Sequence, residues 1–273
     1  MSFGERLEAA WGRSRSLLCV GLDPEPDRLP VPDVVAFNQA IIEATSDLVC
    51  AYKPNIAFYE RLGRTGFDVL KRTIEAVPEG VITLVDAKRG DVGHTSRAYA
   101  EALFDALGAD AVTVNGYLGA DSLEPFLERA ERGVFVVCRT SNPGARDLQD
   151  LLVDTAEGPR PVYEVVALSA RAWSRYGNVG LVVGATYPDE LARLRGLCPE
   201  MPFLVPGVGA QGGDAAAAVR AGTDDRGLGL IVSASRAVIY AGSGPRFADA
   251  AREAALRLRN EIDIARGVGA ESA

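Results

Sequence analysis

Short apolar runs of strand length recur eight times along the chain. They are rich in β-branched residues and nearly continuous, which is the pattern of strands covered on both faces in a parallel sheet. The predicted strands cover residues 16–22, 46–53, 80–88, 110–115, 133–140, 178–186, 202–208 and 228–235.

Stretches with the apolar spacing of helices alternate with these strands. They cover residues 34–45, 67–77, 96–107, 121–131, 160–176, 189–197, 213–221 and 247–266. This alternation, in a chain of 273 residues, is typical of a (β/α)8 barrel. We therefore expect an α/β fold with one domain, a single (β/α)8 TIM barrel over residues 1–273. The alternative is a doubly wound open sheet, which is expected to carry GxGxxG after the first strand, where this chain has GLDPEP.

The longest irregular stretch, residues 141–161, follows the fifth predicted strand. Loops of this length in a compact domain are usually functional or disordered. We expect an extended loop over one face of the barrel.

Composition narrows the classes of function. The net charge of −8 argues against a nucleic-acid or anionic-membrane partner. No window approaches the roughly 20 apolar residues of a membrane span, and the N-terminus lacks a signal-peptide pattern, so we expect a cytoplasmic protein. The four cysteines lack metal-like spacing and sit in apolar runs, which favours reduced core cysteines. A single histidine, His94, argues against histidine-rich metal sites and Ser-His-Asp triads.

Charged residues stand where the third predicted strand ends, in TLVDAKRGDVGHT. Side chains alternate along a strand, so Leu84, Asp86 and Lys88 are expected to share one face. Asp91 follows in the loop, and Lys53 ends the neighbouring strand, about 4.8 Å away. Two lysines and two aspartates are therefore expected to form a nearly neutral array at the strand ends, where barrels carry their chemistry.

A purely structural network of ion pairs is the plainer interpretation of this array. Buried ion pairs stabilise poorly, because desolvation offsets much of their attraction, so chemistry is favoured. A lysine between two carboxylates stays protonated and acts as an acid. Such an acid, positioned in advance, can stabilise and protonate a developing carbanion, which suits loss of CO2.

The seventh and eighth strands end in VPGVGAQGG and VSASRAVIYA. In barrels, the loops after these strands often bind phosphate through backbone N–H groups and a helix N-terminus. Gly207 and Gly209 allow close backbone approach, Gln211 can donate from its amide, and Arg236 can bind phosphate oxygens bidentately.

Several of these segments, in order, resemble the orotidine 5′-phosphate decarboxylase family: KPNIAFYE, DAKRGD, PGVGAQGG and SRAVIYA. GLDPEP, TVNGYLGADSLEPF, RTSNPGARDLQ and VVGATYP resemble its longer bacterial (type 2) form. The resemblance covers nearly the whole chain. It implies cofactor-free, metal-free decarboxylation of orotidine 5′-phosphate (OMP) to UMP and CO2, the last step of de novo UMP biosynthesis.

The resemblance also implies roles for the charged residues. Lys88 would donate the proton to C6 of the pyrimidine, Asp86 would lie near the departing carboxylate, and Lys53 would complete the array and touch the ribose. Asp91 and Thr95 would reach from one subunit into its partner's site. A homodimer with shared active sites is therefore implied.

Further family positions imply substrate contacts. Asp23 would bind ribose hydroxyls, and Thr140 or Ser141 would contact the pyrimidine ring. The ring-edge and phosphate contacts would come from Pro206, Gln211 and Arg236. The loop of residues 141–161 is a candidate part of a lid that closes over the substrate.

Two other functions remain open at this point. A magnesium-dependent keto-sugar-phosphate decarboxylase or hexulose-phosphate synthase would share D-x-K-x-x-D but is expected to lack KPNIAFYE and RTSNPG, both of which are present. A catalytically silent nucleotide-binding protein on this barrel would have no need for both lysines and both aspartates.

Overall fold

The computed structural model describes residues 1–208 and 214–268. Its strands are β1 Leu18–Gly21, β2 Ala51–Lys53, β3 Ile82–Arg89, β4 Ala111–Val114, β5 Gly133–Arg139, β6 Leu152–Thr155, β7 Gly158–Pro161, β8 Val179–Val183, β9 Phe203–Pro206 and β10 Leu230–Ala234. Eight of them are parallel and close a barrel in the order β1, β10, β9, β8, β5, β4, β3, β2. The predicted (β/α)8 barrel is therefore confirmed, with each predicted strand in place.

Helices cover the outside of the barrel and one of its ends. They are α1 Phe3–Ser14, α2 Val34–Thr45, α3 Ala57–Glu60, α4 Gly66–Glu75, α5 Gly93–Ala100, α6 Ala120–Leu127, α7 Val162–Trp173, α8 Pro188–Leu197, α9 Ala215–Gly222, α10 Arg236–Ile239 and α11 Phe247–Ala265. A π-helical segment, Glu101–Ala106, continues α5.

Short polar side chains define where several helices begin. The Asp33 carboxylate accepts a hydrogen bond from the backbone N of Val35 at 2.8 Å, and Asp214 accepts one from Ala217 N at 3.0 Å. These N-caps satisfy donors that the first helical turn leaves unpaired. The barrel strands are buried along most of their length, so their continuous apolar runs are explained by cover on both faces.

Helix α1 closes the N-terminal end of the barrel and was not among the predicted elements. Its Phe3 ring packs edge-on against Phe135 of β5, with centroids 6.0 Å apart, over Gly133, where a Cβ would overlap the ring. Trp11 donates from its indole nitrogen to the Leu230 carbonyl at 3.0 Å. The end of the barrel opposite the predicted site is thus sealed by side chains.

The segment of residues 141–161 is structured, so the expectation of an irregular loop is wrong. It holds a short 3-10 turn, Pro143–Asp147, and an antiparallel hairpin in which Leu152 of β6 pairs with Pro161 of β7. The buried Glu164 carboxylate, at the start of α7, binds Arg160 of β7 at 3.1 Å and also Arg193 of α8. These ion pairs anchor the hairpin to the barrel wall.

Two further observations concern the cysteines and the length of the apolar helices. All four cysteines are free and buried, as predicted. Over residues 1–208 and 214–268, no helix is long and apolar enough to span a bilayer.

Replacing Phe3 by Ala is expected to destabilise the barrel, because it removes a buried ring that fills the barrel end. Large core truncations of this kind cost about 3–5 kcal/mol, measured as the change in the free energy of unfolding in urea. Phe67→Ala is the matched control, since Phe67 on α4 is 47 % exposed and its loss is expected to cost about 1 kcal/mol or less. Equal losses for the two variants would contradict the role assigned to α1.

Candidate active site

A cavity of about 550 Å³ opens at the C-terminal ends of the barrel strands. Eight of the predicted site residues line it, namely Asp23, Lys53, Asp86, Lys88, Thr140, Ser141, Pro206 and Arg236. Two more, Gly209 and Gln211, lie outside the described residues. The remaining two, Asp91 and Thr95, are not part of the described cavity wall.

The Asp86 carboxylate is the centre of the charged cluster. Its Oδ2 lies 3.4 Å from Lys53 Nζ, and its Oδ1 lies 2.6 Å from Lys88 Nζ. Two neutral donors complete its shell, because Thr113 Oγ1 donates to Oδ1 at 2.8 Å and Asn55 Nδ2 donates to Oδ2 at 3.0 Å. A carboxylate offers about four acceptor positions, so these four donors fix its orientation.

Sequence reasoning missed Asn55 and Thr113 as site residues. Asn55 stands in the quoted KPNIAFYE and forms an isolated parallel bridge with Asp86. Thr113 is the polar position in the apolar strand β4 and is fully buried. The only signal in the sequence was a polar residue near a strand end, which is too common to single out either one.

Electrostatic interactions keep both Lys53 and Asp86 in their charged forms. Burial opposes the charge of Lys53, but attraction to Asp23 and Asp86 outweighs it and raises the pKa of this ammonium above its ordinary value. Burial also opposes ionisation of Asp86, yet Lys53, Lys88 and their hydrogen bonds lower its pKa from 3.8 to about 2. Nearby opposite charges thus outweigh desolvation at both positions.

Lys88 has an unusual backbone conformation. Its φ is +48°, which among the described non-glycine residues only Arg15 shares. The pairing of β3 with β4 is irregular here, because Val85 pairs with Val112 while Arg89 pairs with Val114. The strict alternation expected for residues 84–88 therefore breaks at Lys88. Its backbone N donates to Thr113 Oγ1 at 2.9 Å, and strain at such a position is a frequent feature of functional sites.

The loop after β1 supplies the second carboxylate near Lys53. Asp23 Oδ1 accepts from Asn55 N at 3.1 Å, which orients the carboxylate beside the end of β2. On this chain the second aspartate of the array is therefore Asp23, and Asp91 does not join it. Asp91 Oδ1 accepts from the backbone N of Val92, at the start of an exposed turn before α5.

The far side of the cavity carries Pro206 and Arg236, two of the positions predicted to contact the ring edge and the phosphate. Pro206 ends β9, and Gly207 follows with a φ of 95°, a conformation that favours glycine. Arg236 is exposed, begins the single-turn helix α10 and makes no ion pair within the described residues. Its guanidinium is thus available to an anion in the cavity.

The wall after β5 holds the two candidates for the base contact. The Thr140 hydroxyl donates to Asn142 Oδ1 at 2.6 Å and accepts from Gln149 Nε2 at 2.8 Å. Ser141 lies against Gly184, where a Cβ would come within 3.0 Å of the Ser141 Cβ. The Thr140 hydroxyl is therefore engaged inside its own loop.

Known proteins match both the sequence and the fold. A sequence profile of the orotidine 5′-phosphate decarboxylase / HUMPS family matches residues 16–251. A curated orotidine 5′-phosphate decarboxylase of Dehalococcoides mccartyi is 52 % identical over 264 residues, covering 96 % of this chain and 98 % of the relative. The corresponding protein of Thermomicrobium roseum is 53 % identical over 270 residues, covering 96 % and 95 %.

Among solved structures, Leishmania donovani OMP decarboxylase superposes with a TM-score of 0.87 at 42 % identity, covering 98 % of this chain and 100 % of that one. The similarity thus spans the barrel and the segments that supply the cavity. The chain belongs to the orotidine 5′-phosphate decarboxylase / HUMPS family.

Proposed function

We propose that this chain is an orotidine 5′-phosphate decarboxylase, a carboxy-lyase that converts OMP to UMP and CO2. The observation that carries the proposal is the Asp86 carboxylate bound between Lys53 and Lys88 in the cavity. The curated relatives named for this activity, about half of whose residues are identical to this chain, support it.

The reaction needs one bond broken and one proton supplied. The bond between C6 and the carboxylate breaks, CO2 leaves, and the electron pair stays on C6. Lys88 then donates a proton from Nζ to C6, which gives UMP, and the lysine regains its proton from solvent. A preorganised ammonium beside the developing carbanion lowers the barrier, because its charge is in place before the bond breaks.

Asp86 has two tasks in this proposal. It holds Lys88 at 2.6 Å and so aims the proton donor. It also keeps a negative charge beside the substrate carboxylate, which raises the energy of that anion until CO2 departs as a neutral molecule. The low pKa of Asp86, about 2, keeps this charge in place at neutral pH.

The other cavity residues divide the substrate among them. Asp23 binds ribose hydroxyls beside Lys53. Thr140 and Ser141, which both line the cavity, are the candidates for the pyrimidine contact. Phosphate and ring-edge contacts are assigned to Pro206, Gly209, Gln211 and Arg236. Binding energy from the phosphate, remote from the breaking bond, then helps to hold the ring against the charged array.

The active form in this proposal is a homodimer with shared sites. Asp91 and Thr95 lie outside the described cavity wall of their own chain, next to Val92, which is 56 % exposed. An exposed turn at the barrel mouth is suited to reach a neighbouring subunit, where Asp91 adds a second carboxylate beside Lys88.

The remaining features of the proposal come from the family resemblance, the strand–helix alternation and the composition. The reaction uses no metal or organic cofactor and runs in a single catalytic domain over residues 1–273. We place it in the cytoplasm, without a nucleic-acid or membrane partner, in keeping with the net charge of −8.

The direct test is the ultraviolet absorbance change of OMP with purified protein in EDTA, for the wild type and for Lys88→Ala. Steady conversion to UMP is expected for the wild type. Loss of the proton donor is expected to lower turnover by about 10³-fold or more, while UMP still binds through the phosphate end. Lys71→Ala, an exposed lysine on α4, is the control and is expected to keep full activity.

Two outcomes of this assay would count against the proposal. Wild-type activity that disappears in EDTA would favour a magnesium-dependent relative. Retention of a tenth of wild-type turnover by Lys88→Ala, a barrier change of only about 1.4 kcal/mol, would exclude Lys88 as the proton donor.

Mixing inactive variants tests the shared site. A heterodimer of Lys88→Ala and Asp91→Ala subunits contains one site with both residues intact, so activity is expected to return to about a quarter of the wild-type value if subunits exchange statistically. Lys88→Ala mixed with Asp86→Ala is the control, because both residues line the cavity of the same chain and no intact site forms. Absence of recovery in the first mixture, with exchange demonstrated by a labelled subunit, would contradict the shared site.

Acid unfolding tests the charge state of Asp86. A depressed pKa contributes stability above the unfolded-state value, and this contribution is lost as pH falls from about 4 to about 2. Between pH 6 and pH 3 the wild type is expected to lose about 1 kcal/mol of unfolding free energy that Asp86→Asn does not lose. Asp68→Asn, at an exposed position on α4, serves as control and is expected to follow the wild type. Parallel curves for wild type and Asp86→Asn would show that the Asp86 pKa is not depressed.

A further inference from the structure

The loop after β5 closes on itself through one side chain. The Gln149 Oε1 accepts from the backbone N of Thr140 at 2.9 Å, and its Nε2 donates to Thr140 Oγ1 at 2.8 Å. Thr140 directly follows β5 and Gln149 lies shortly before β6, so a single carboxamide joins the two ends of the connection between these strands. Compact loops with joined ends are frequently functional.

This closure shapes the wall of the cavity. Thr140, Ser141 and Asn142 all line the cavity, whereas Gln149 is not among the described residues that do. The Thr140 hydroxyl has one proton, which it donates to Asn142 Oδ1, so it must accept from Gln149. The carboxamide of Gln149 therefore positions the cavity wall through Thr140 without lining the cavity itself.

A buried cation fixes which way the carboxamide points. Arg139 is 1 % exposed, and its Nη1 lies 3.5 Å from Gln149 Oε1 and 2.7 Å from Asp150 Oδ1. Its guanidinium lies 4.1 Å from the centre of the Tyr187 ring and 3.4 Å from Glu190 Oε1. Two donors, Arg139 and the Thr140 N–H, face the oxygen of Gln149, so its NH2 group must face the Thr140 hydroxyl.

We infer that Gln149 is a positioning residue for recognition of the substrate's pyrimidine base. The inference rests on the proposed function and deepens it. The 140–142 wall presents hydroxyl and amide groups without charge, which suit the alternating donors and acceptors of a pyrimidine edge. Around the barrel, β8 and β9 separate β5 from β10, which leads to Arg236. Gln149 thus governs the base end of the ligand and not the phosphate end.

The test compares two ligands that differ only at the base end. Dissociation constants of UMP and of ribose 5-phosphate are measured by calorimetry for the wild type, Gln149→Ala and Gln149→Glu. Gln149→Ala is expected to weaken UMP binding about tenfold, which is about 1.4 kcal/mol, and to change ribose 5-phosphate binding less than about twofold. Gln149→Glu keeps the acceptor for Arg139 and Thr140 N–H but loses the donor, so an intermediate loss for UMP alone is expected.

Arg146→Ala is the control on the same loop, because Arg146 is exposed. This variant is expected to bind both ligands as tightly as the wild type does. Unchanged UMP binding in Gln149→Ala would overturn the inference. Equal weakening of both ligands would also overturn it, since that is the signature of general destabilisation. If the wild type failed to turn over OMP, the proposed decarboxylase activity would be refuted instead. Weaker binding of UMP alone in Gln149→Ala would still support base recognition through Gln149.

Discussion

The carboxylate of Asp86 is shared between two ammonium groups, and the geometry of the cavity depends on this sharing. Lys53 comes from β2 and Lys88 from the end of β3, so one side chain ties together neighbouring strand ends. Without Asp86, the attraction that offsets the desolvation of Lys53 would be much reduced, since that lysine is only 6 % exposed. A buried ion pair is a poor way to stabilise a protein. Its persistence here is better explained by a need for fixed charges than by a need for stability.

The strand–helix alternation was readable because strands covered on both faces need continuous apolar runs. Helix α1 and the hairpin of β6 and β7, which the pattern missed, fall outside that rule. Helix α1 lies under the barrel end and not between two strands. Strand β7 contains Pro159 and Pro161, which disfavour a strand assignment. Strand β6 exposes both Leu152 and Val153, so it shows no alternation of buried and exposed positions.

The charged residues of the cavity were predictable for a different reason. Charge at the end of an apolar strand is rare enough to be noticed, and barrel topology brings strand ends together. The neutral residues Asn55 and Thr113 could not be found in this way, since their part in orienting Asp86 depends on hydrogen-bond geometry. The positive φ of Lys88 could not be predicted from the sequence either, because the pairing irregularity arises between β3 and β4 and not within either strand. The proposed roles of Asp91 and Thr95 depend on a second subunit, which one chain does not contain.

The position of α1 has a consequence for the order in which the protein acquires its structure. Its anchoring contacts join Phe3 to β5 and Trp11 to the start of β10, more than 200 residues further along the chain. Contacts of such long sequence separation form late, because the chain between them must be ordered first. On the ribosome, α1 emerges before every barrel strand and therefore waits for nearly the whole barrel before it can dock. This helix, synthesised before the barrel, is thus among the last elements to be secured, and its apolar face is a target for chaperones in the interval.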